Sequence, residues 1–257
     1  MIGFLIKKNF FDLWDNLFRI VLVNLGFIAS VSIPVLVPAL FQAVPPLAIA
    51  VLVIGGLWCC VYLATAALTL KSISDYGSFG FSEFFGNIKT ALPAGLALGV
   101  FIFLGYVLLT VVIPFYFSMG NIVGLLLAAI VFWTLAACVL AFQFFFAVRG
   151  RLTTKLTSVI KKCFIIFFDN PMFCVFSLLH NLVILAFSAL VAFMLPGPAG
   201  ALLFLDEALR LRLLKYDWLE ANPEANRRKI PWDALLIDER EKTGSRSFRS
   251  FIFPWKD

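Results

Sequence analysis

Thr90–Val148 reads TALPAGLALGVFIFLGYVLLTVVIPFYFSMGNIVGLLLAAIVFWTLAACVLAFQFFFAV, 59 residues without a charged side chain. A helix that crosses the ~30 Å hydrocarbon core needs about 20 apolar residues, so this stretch holds two crossings and a turn. The turn falls at Ser118-Met119-Gly120-Asn121, the polar, glycine-containing break in the run. The stretch is apolar on every face, whereas the strands of a membrane barrel alternate over about 10 residues. The elements are therefore helices.

Two further uncharged gaps flank it. Ile20–Leu70 spans 51 residues and Asn170–Leu205 spans 36. The first has room for a second pair of crossings and the other for about one and a half. We expect an all-α, polytopic membrane helix bundle of three hairpins: five full spans, a short or re-entrant sixth, and interfacial amphipathic helices. Composition agrees. Mean hydropathy is +0.98 and 62% of residues are hydrophobic, against roughly 45–50% in soluble domains. A soluble chain of this content would expose large apolar patches and aggregate.

Lys and Arg divide asymmetrically. Residues 1–19, 71–89, 149–169 and 206–257 carry 3, 2, 5 and 11 of them, which is all 21. The three hairpin turns carry none. By the positive-inside rule both termini are expected to be cytoplasmic, in a multi-pass protein of the inner membrane. An odd number of full crossings would put the tail outside, which is why the short sixth arm is required. Residues 1–214 are read as the transmembrane domain and 215–257 as a cytoplasmic tail ending in the basic-aromatic SRSFRSFIFPWKD, a segment suited to dip into the interface or to dock on a partner. The N-terminal segment has Lys7 and Lys8 before an apolar run but no clean cleavage site after a short one, so it reads as retained.

The first hairpin should turn at Gln42–Pro46 and the third at Pro196–Gly200. Pro34 and Pro38 should kink the first arm and turn its freed carbonyls toward protein. Gly95 and Gly99 form a GxxxG that suits close helix packing within the chain. Aromatic segments before each hairpin (NFFDLWDNLF, SEFFGNIKTAL, IIFFDNPMF) raise the alternative of a triplicated unit.

Residues 149–169 should form a basic amphipathic helix on the membrane surface. Leu152, Leu156, Val159, Ile160, Cys163 and Phe167 make one face. Arg149, Arg151, Lys155, Lys161 and Lys162 make a candidate surface for anionic lipid headgroups or a partner. Within the gaps His180 is the one ionisable side chain. Intramembrane ionisable groups are functional candidates, so His180, with Asn181 and Ser177 on the same helix, is a candidate polar site. It lies ~9 residues or ~14 Å into its span, near midplane. Asn24 joins the set. The competing reading is a neutral His satisfied by a nearby carbonyl or hydroxyl.

Cys59, Cys60, Cys138, Cys163 and Cys174 show no CxxC or Cys/His ligand spacing, and read as buried hydrophobes. No P-loop, HExxH or GxSxG occurs. No cofactor, metal or nucleic-acid partner is expected. The absence of an Asp or Glu in the gaps argues against a proton- or sodium-coupled carrier.

Three stretches resemble the YesL-type family of bacterial membrane proteins: LTLKSISDYGSFGFSEFFGNIKTALPAGLALGVFIFLGYVLL (68–109), FFDLWDNLFRIVLVNLGFI (10–28) and PGPAGALLFL (196–205). The similarity covers about residues 9–215. The resemblance implies an accessory role beside carbohydrate ABC transporters, with no catalytic residues to carry over. The expected function is therefore a non-enzymatic membrane protein that binds a partner in a transport system. The alternative is a small-molecule or lipid transporter with a cavity near His180.

Overall fold

A computed structural model describes residues 1–227, 229–244 and 246. The basic-aromatic terminus expected to dip into the interface or dock on a partner lies, apart from Arg246, outside the described residues. The described chain is helical throughout, with twelve α-helices and two short irregular turns of helix. Five stretches are long and apolar enough to cross a membrane: Leu17–Phe41, Pro45–Ser74, Phe81–Ser118, Ile122–Arg151 and Pro171–Ala189.

The first hairpin is α2 (Leu17–Leu36), extended by a 3-10 turn over Val37–Phe41, and α3 (Pro45–Ser74). Pro38 sits where the α-helix gives way to the tighter turn. Pro34 lies inside α2 and packs on Gly55 of α3, so the kinked side faces protein as expected. The second hairpin is α4 (Phe81–Val107), α5 (Ile113–Ser118) and α6 (Ile122–Phe142). A π-helical turn over Leu108–Val112 joins α4 to α5 ahead of Pro114. That widening fits the proline ring, which would otherwise clash with the carbonyl four residues back. The turn falls where the sequence places it, and Asn121 Oδ1 accepts from Gly124 N at 2.8 Å to cap α6.

Gly95 packs α4 against α3 so closely that a methyl group there would collide with the Val61 backbone, and one at Gly99 would press on Leu57. The GxxxG thus serves internal packing, where backbones approach because no side chain intervenes. The triplicated unit is not seen. SEFFGNIKTAL lies inside a continuous α4, whereas α1 (Ile2–Asp15) is a separate helix.

The third hairpin differs most from expectation. α9 (Pro171–Ala189) and α10 (Gly197–Ala221) run antiparallel. Ser188 Oγ accepts from Gly197 N at 2.9 Å near the tip, and Asn181 Nδ2 donates to Ala201 O at 3.4 Å. At the base, Lys215 Nζ donates to Asp169 and Asn170. The turn occupies Leu190–Pro196, not Pro196–Gly200. Pro198 lies in the first turn of α10, where its missing N–H costs nothing.

The tip meets α2 in its middle. Asn24 Nδ2 donates to Met194 O (3.1 Å) and Pro196 O (2.9 Å), and its Oδ1 accepts from Ala199 N (2.9 Å). Ala192 and Phe193 line a groove with Phe27, Ile28 and Val31. Val31 is ten residues, or ~15 Å, short of the far end of the first arm at Phe41. The hairpin therefore enters from the charged end and returns to it. The sixth arm thus returns the chain to the side of α1, on which α10 packs.

α10 is the central helix. Leu203 joins Ile20, Leu70 and Ile73 in one apolar cluster, while Phe204, Leu209 and Leu211 join Leu5, Phe144, Phe145 and Val148 in another. Full burial of each such side chain contributes roughly 1.5–3 kcal/mol where the alternative is water. The domain boundary expected after Leu214 falls inside α10, which continues to Ala221. α11 (Trp232–Leu235) and α12 (Ile237–Thr243) follow.

Candidate functional site

α1 is not a surface helix with its charges in water. It buries Leu5, Lys8, Asn9, Phe11 and Asp12. Lys8 and Asp12, one helical turn apart, pair at 2.5 Å, and the Lys8 ammonium lies 3.8 Å from the centre of the Tyr76 ring. An i,i+4 pair lets both charges enter the protein together. Tyr76 follows α3 in a left-handed conformation (φ 62°). Its hydroxyl donates to Glu239 Oε2 at 2.8 Å and meets Thr243 Oγ1 at 3.2 Å, both on α12.

α10 supplies the rest of this layer. Arg151 Nε is 3.0 Å from both oxygens of Asp206, Nη1 is 3.0 Å from Asp75 Oδ1, and Nη2 donates to Ser74 Oγ at 2.8 Å. Arg210 pairs with Asp75 and, at 2.7 Å, with Glu239. One layer of ion pairs thus joins the end of α3, α7 (Phe145–Arg151), α10 and α12, and α1 meets it through Lys8 over the Tyr76 ring. Burial alone would raise the Glu239 carboxyl. Hydrogen bonds from Arg210 and Tyr76, with the Arg210 charge, outweigh it and hold the group below its ordinary range.

Glu207 stands apart. It is wholly buried, and neither carboxylate oxygen has a hydrogen-bond partner among the described residues. It faces Lys8, Asn9 and Asp12. Burial pushes its carboxyl well above the usual range, the Lys8 charge opposes that, and Asp12 adds to it.

A second polar cluster closes the base of the third hairpin. Asp169 Oδ2 accepts from Lys215 (2.7 Å), Asn170 (2.9 Å) and Tyr216 (2.9 Å). Burial would raise Asp169, but the Lys215 and Tyr216 hydrogen bonds and the Lys215 charge hold it low.

The residues expected from the sequence are dispersed. His180 stacks on Phe204, ring centroids 3.9 Å apart and planes 19° from parallel, and its Nδ1 is buried without a partner among the described residues. Phe204 is two residues from Asp206, so His180 lies close to the level of the charged layer along α10. Ser177 and Asn181 are buried beside it on α9, while Asn24 is the clamp on the hairpin tip. The four do not form one site.

The basic helix is broken. α7 ends at Arg151 and α8 runs Leu156–Asp169. Val159 and Cys163 of the expected apolar face are buried, joined by Ile166, whereas Leu156 is exposed. Arg151 is turned inward. Arg149 bridges to Thr154 O and Thr90 O. Lys155 and Lys161 remain exposed and Lys162 half-buried, so only the lysines are left as a headgroup surface. Sequence reasoning placed Lys8, Asp12, Asp206 and Glu207 outside the bilayer but missed their burial. The four-residue spacing of Lys8 and Asp12 on one helix was the available signal.

These features define an integral, multi-pass helical membrane protein in contact with the lipid bilayer. No protein-family model, curated protein or solved structure matches the chain.

Proposed function

We propose that this is a non-enzymatic component of the cytoplasmic membrane, with both termini cytoplasmic, that presents its charged face to a membrane-protein partner. The resemblance noted in the sequence makes that partner part of a transport system, such as a carbohydrate ABC transporter. The supporting observation is the use made of the charged layer. Asp75, Asp206 and Glu239 are each held by arginine, and Asp12 by Lys8. Arg210 ties α12 to α10 and Tyr76 ties it to the end of α3, which makes the charged end a built platform. Basic-residue asymmetry supports its cytoplasmic placement, and Lys155 and Lys161 on it suit anionic lipid.

The test is affinity purification of the full-length protein from native membranes. One membrane partner should co-purify at fixed ratio and be lost on Lys155→Glu with Lys161→Glu. Repeated recovery of the protein alone would overturn the proposal.

A second reading, lipid handling, draws on the groove between α2, α3 and the third hairpin. It encloses about 660 Å³, within the range of ligand cavities. Its wall is apolar throughout, including Phe27, Val31, Leu63, Phe193 and Leu202, and His180 is not among its lining residues. An acyl chain suits such a wall. Native mass spectrometry should show a retained lipid that Ala201→Phe expels, and equal lipid retention in both proteins would exclude this reading.

A further inference from the structure

We propose that Glu207 and Asp12 form a proton-binding site that holds one proton between two carboxylates at the junction of α1 and α10.

The argument begins with charge. Lys8, Arg151 and Arg210 are the cations inside the layer, and Lys242 sits at its rim, 5.8 Å from the Tyr76 ring. They face five carboxylates: Asp12, Asp75, Asp206, Glu207 and Glu239. Even with Lys242 counted, one carboxylate is in excess. Arg151 grips Asp206, Arg210 answers Asp75 and Glu239, and Lys8 reaches Asp12. The group left over is Glu207, which is fully buried with both oxygens unpartnered among the described residues. An ionised carboxylate there would be a buried unpaired charge beside a second carboxylate, and such a group neutralises by taking a proton.

Burial and Asp12 favour the acid form of Glu207, while Lys8 and Asn9 oppose it. From α1, Lys8, Asn9 and Asp12 face Glu207. Tyr76, after α3, and Glu239, on α12, face the same Lys8–Asp12 pair. As a carboxylic acid, Glu207 donates its O–H to the Asp12 carboxylate, while Lys8 donates to the same carboxylate. Two donors on one anion leave no net charge beyond the Lys8–Asp12 pair. Loss of the proton places two anions against one lysine and drives α1 from α10.

The sign of the pH effect follows. Above the ordinary carboxylate range and below the folded value of Glu207, the native state holds one proton that the unfolded state lacks. The unfolding constant then rises about tenfold per pH unit from this site.

The experiment is infrared difference spectroscopy of the full chain in lipid nanodiscs at neutral pH, with unfolding followed against pH. The native protein should show a protonated carboxyl band that Glu207→Gln removes, along with the tenfold dependence. Asp12→Asn, which leaves Lys8 to Glu207 alone, should shift or abolish the same band and serves if Glu207→Gln fails to fold. A band unchanged in either variant, or equal pH slopes in native and Glu207→Gln proteins, overturns the proposal.

Discussion

Arg151 and Asp206, 55 residues apart in the chain, form a bidentate pair with side chains 9% and 6% exposed. Breaking a buried pair from one side leaves the other charge uncompensated, at a cost of about 3–5 kcal/mol. Arg151→Ala should lower stability by that amount in thermal unfolding in detergent. Arg151→Lys should recover only part of it, because an ammonium cannot bind both oxygens in a fork. Lipid-vesicle binding at constant fold should instead follow Lys155 and Lys161.

His180 and Phe204 give a prediction of opposite sign. His180→Phe keeps the stack and removes a buried nitrogen without a partner, so the unfolding midpoint should hold or rise. His180→Ala loses the stacked ring and should cost about 2 kcal/mol. A His180→Phe variant that folds normally yet loses partner recovery would give the imidazole a role that packing does not explain.

Asn24 makes three hydrogen bonds to the hairpin tip. Asn24→Leu removes all three and leaves Met194 O and Ala199 N–H unmet, while Pro196 O keeps its bond from Gly200 N, and at 0.5–1.5 kcal/mol per bond the loss is about 2–4 kcal/mol. Hydrogen exchange should show the effect at Met194–Ala199 before it appears elsewhere. Gly197 is fixed by the same contact: it has φ 63° and faces Asn24 with no room for a methyl group.

Gly95→Ala places a methyl group against the Val61 backbone and should separate α4 from α3, at about 1–3 kcal/mol. Crosslinking between introduced cysteines at the two helices should fall with it.

Glu239 sets the acid limit of the tail. Its ionised form is favoured in the folded protein, so its stabilisation is present above the ordinary carboxylate range. It is lost as pH falls through the lowered folded value. Limited proteolysis should cut near α12 at acid pH, and Arg210→Ala should move that release to higher pH. Glu207 acts in the other direction, weakening the α1–α10 junction as pH rises.

Much of the fold was legible because membrane insertion is decided residue by residue. The uncharged gaps, the turn at Ser118–Asn121, the Pro34 kink and the Gly95 contact each follow from local properties. The third turn shifted because Pro198 suits a helix start as well as a loop, a choice settled by Asn24 from 170 residues away. The candidate site was hardly legible. His180 was singled out for lying in an apolar run, but its surroundings come from Phe204 on another helix.

The chain alone determined that this is a helical membrane protein with its charges gathered at one end. Transfer of each side chain to lipid is nearly additive and requires no knowledge of neighbours. Only the tertiary structure decided which of those charges are buried. Lys8, Asp12, Asp206 and Glu207 read as solvated because they lie outside the gaps. They became interior when α10 passed between α1 and α3, since the cost of a charge depends on the groups that surround it.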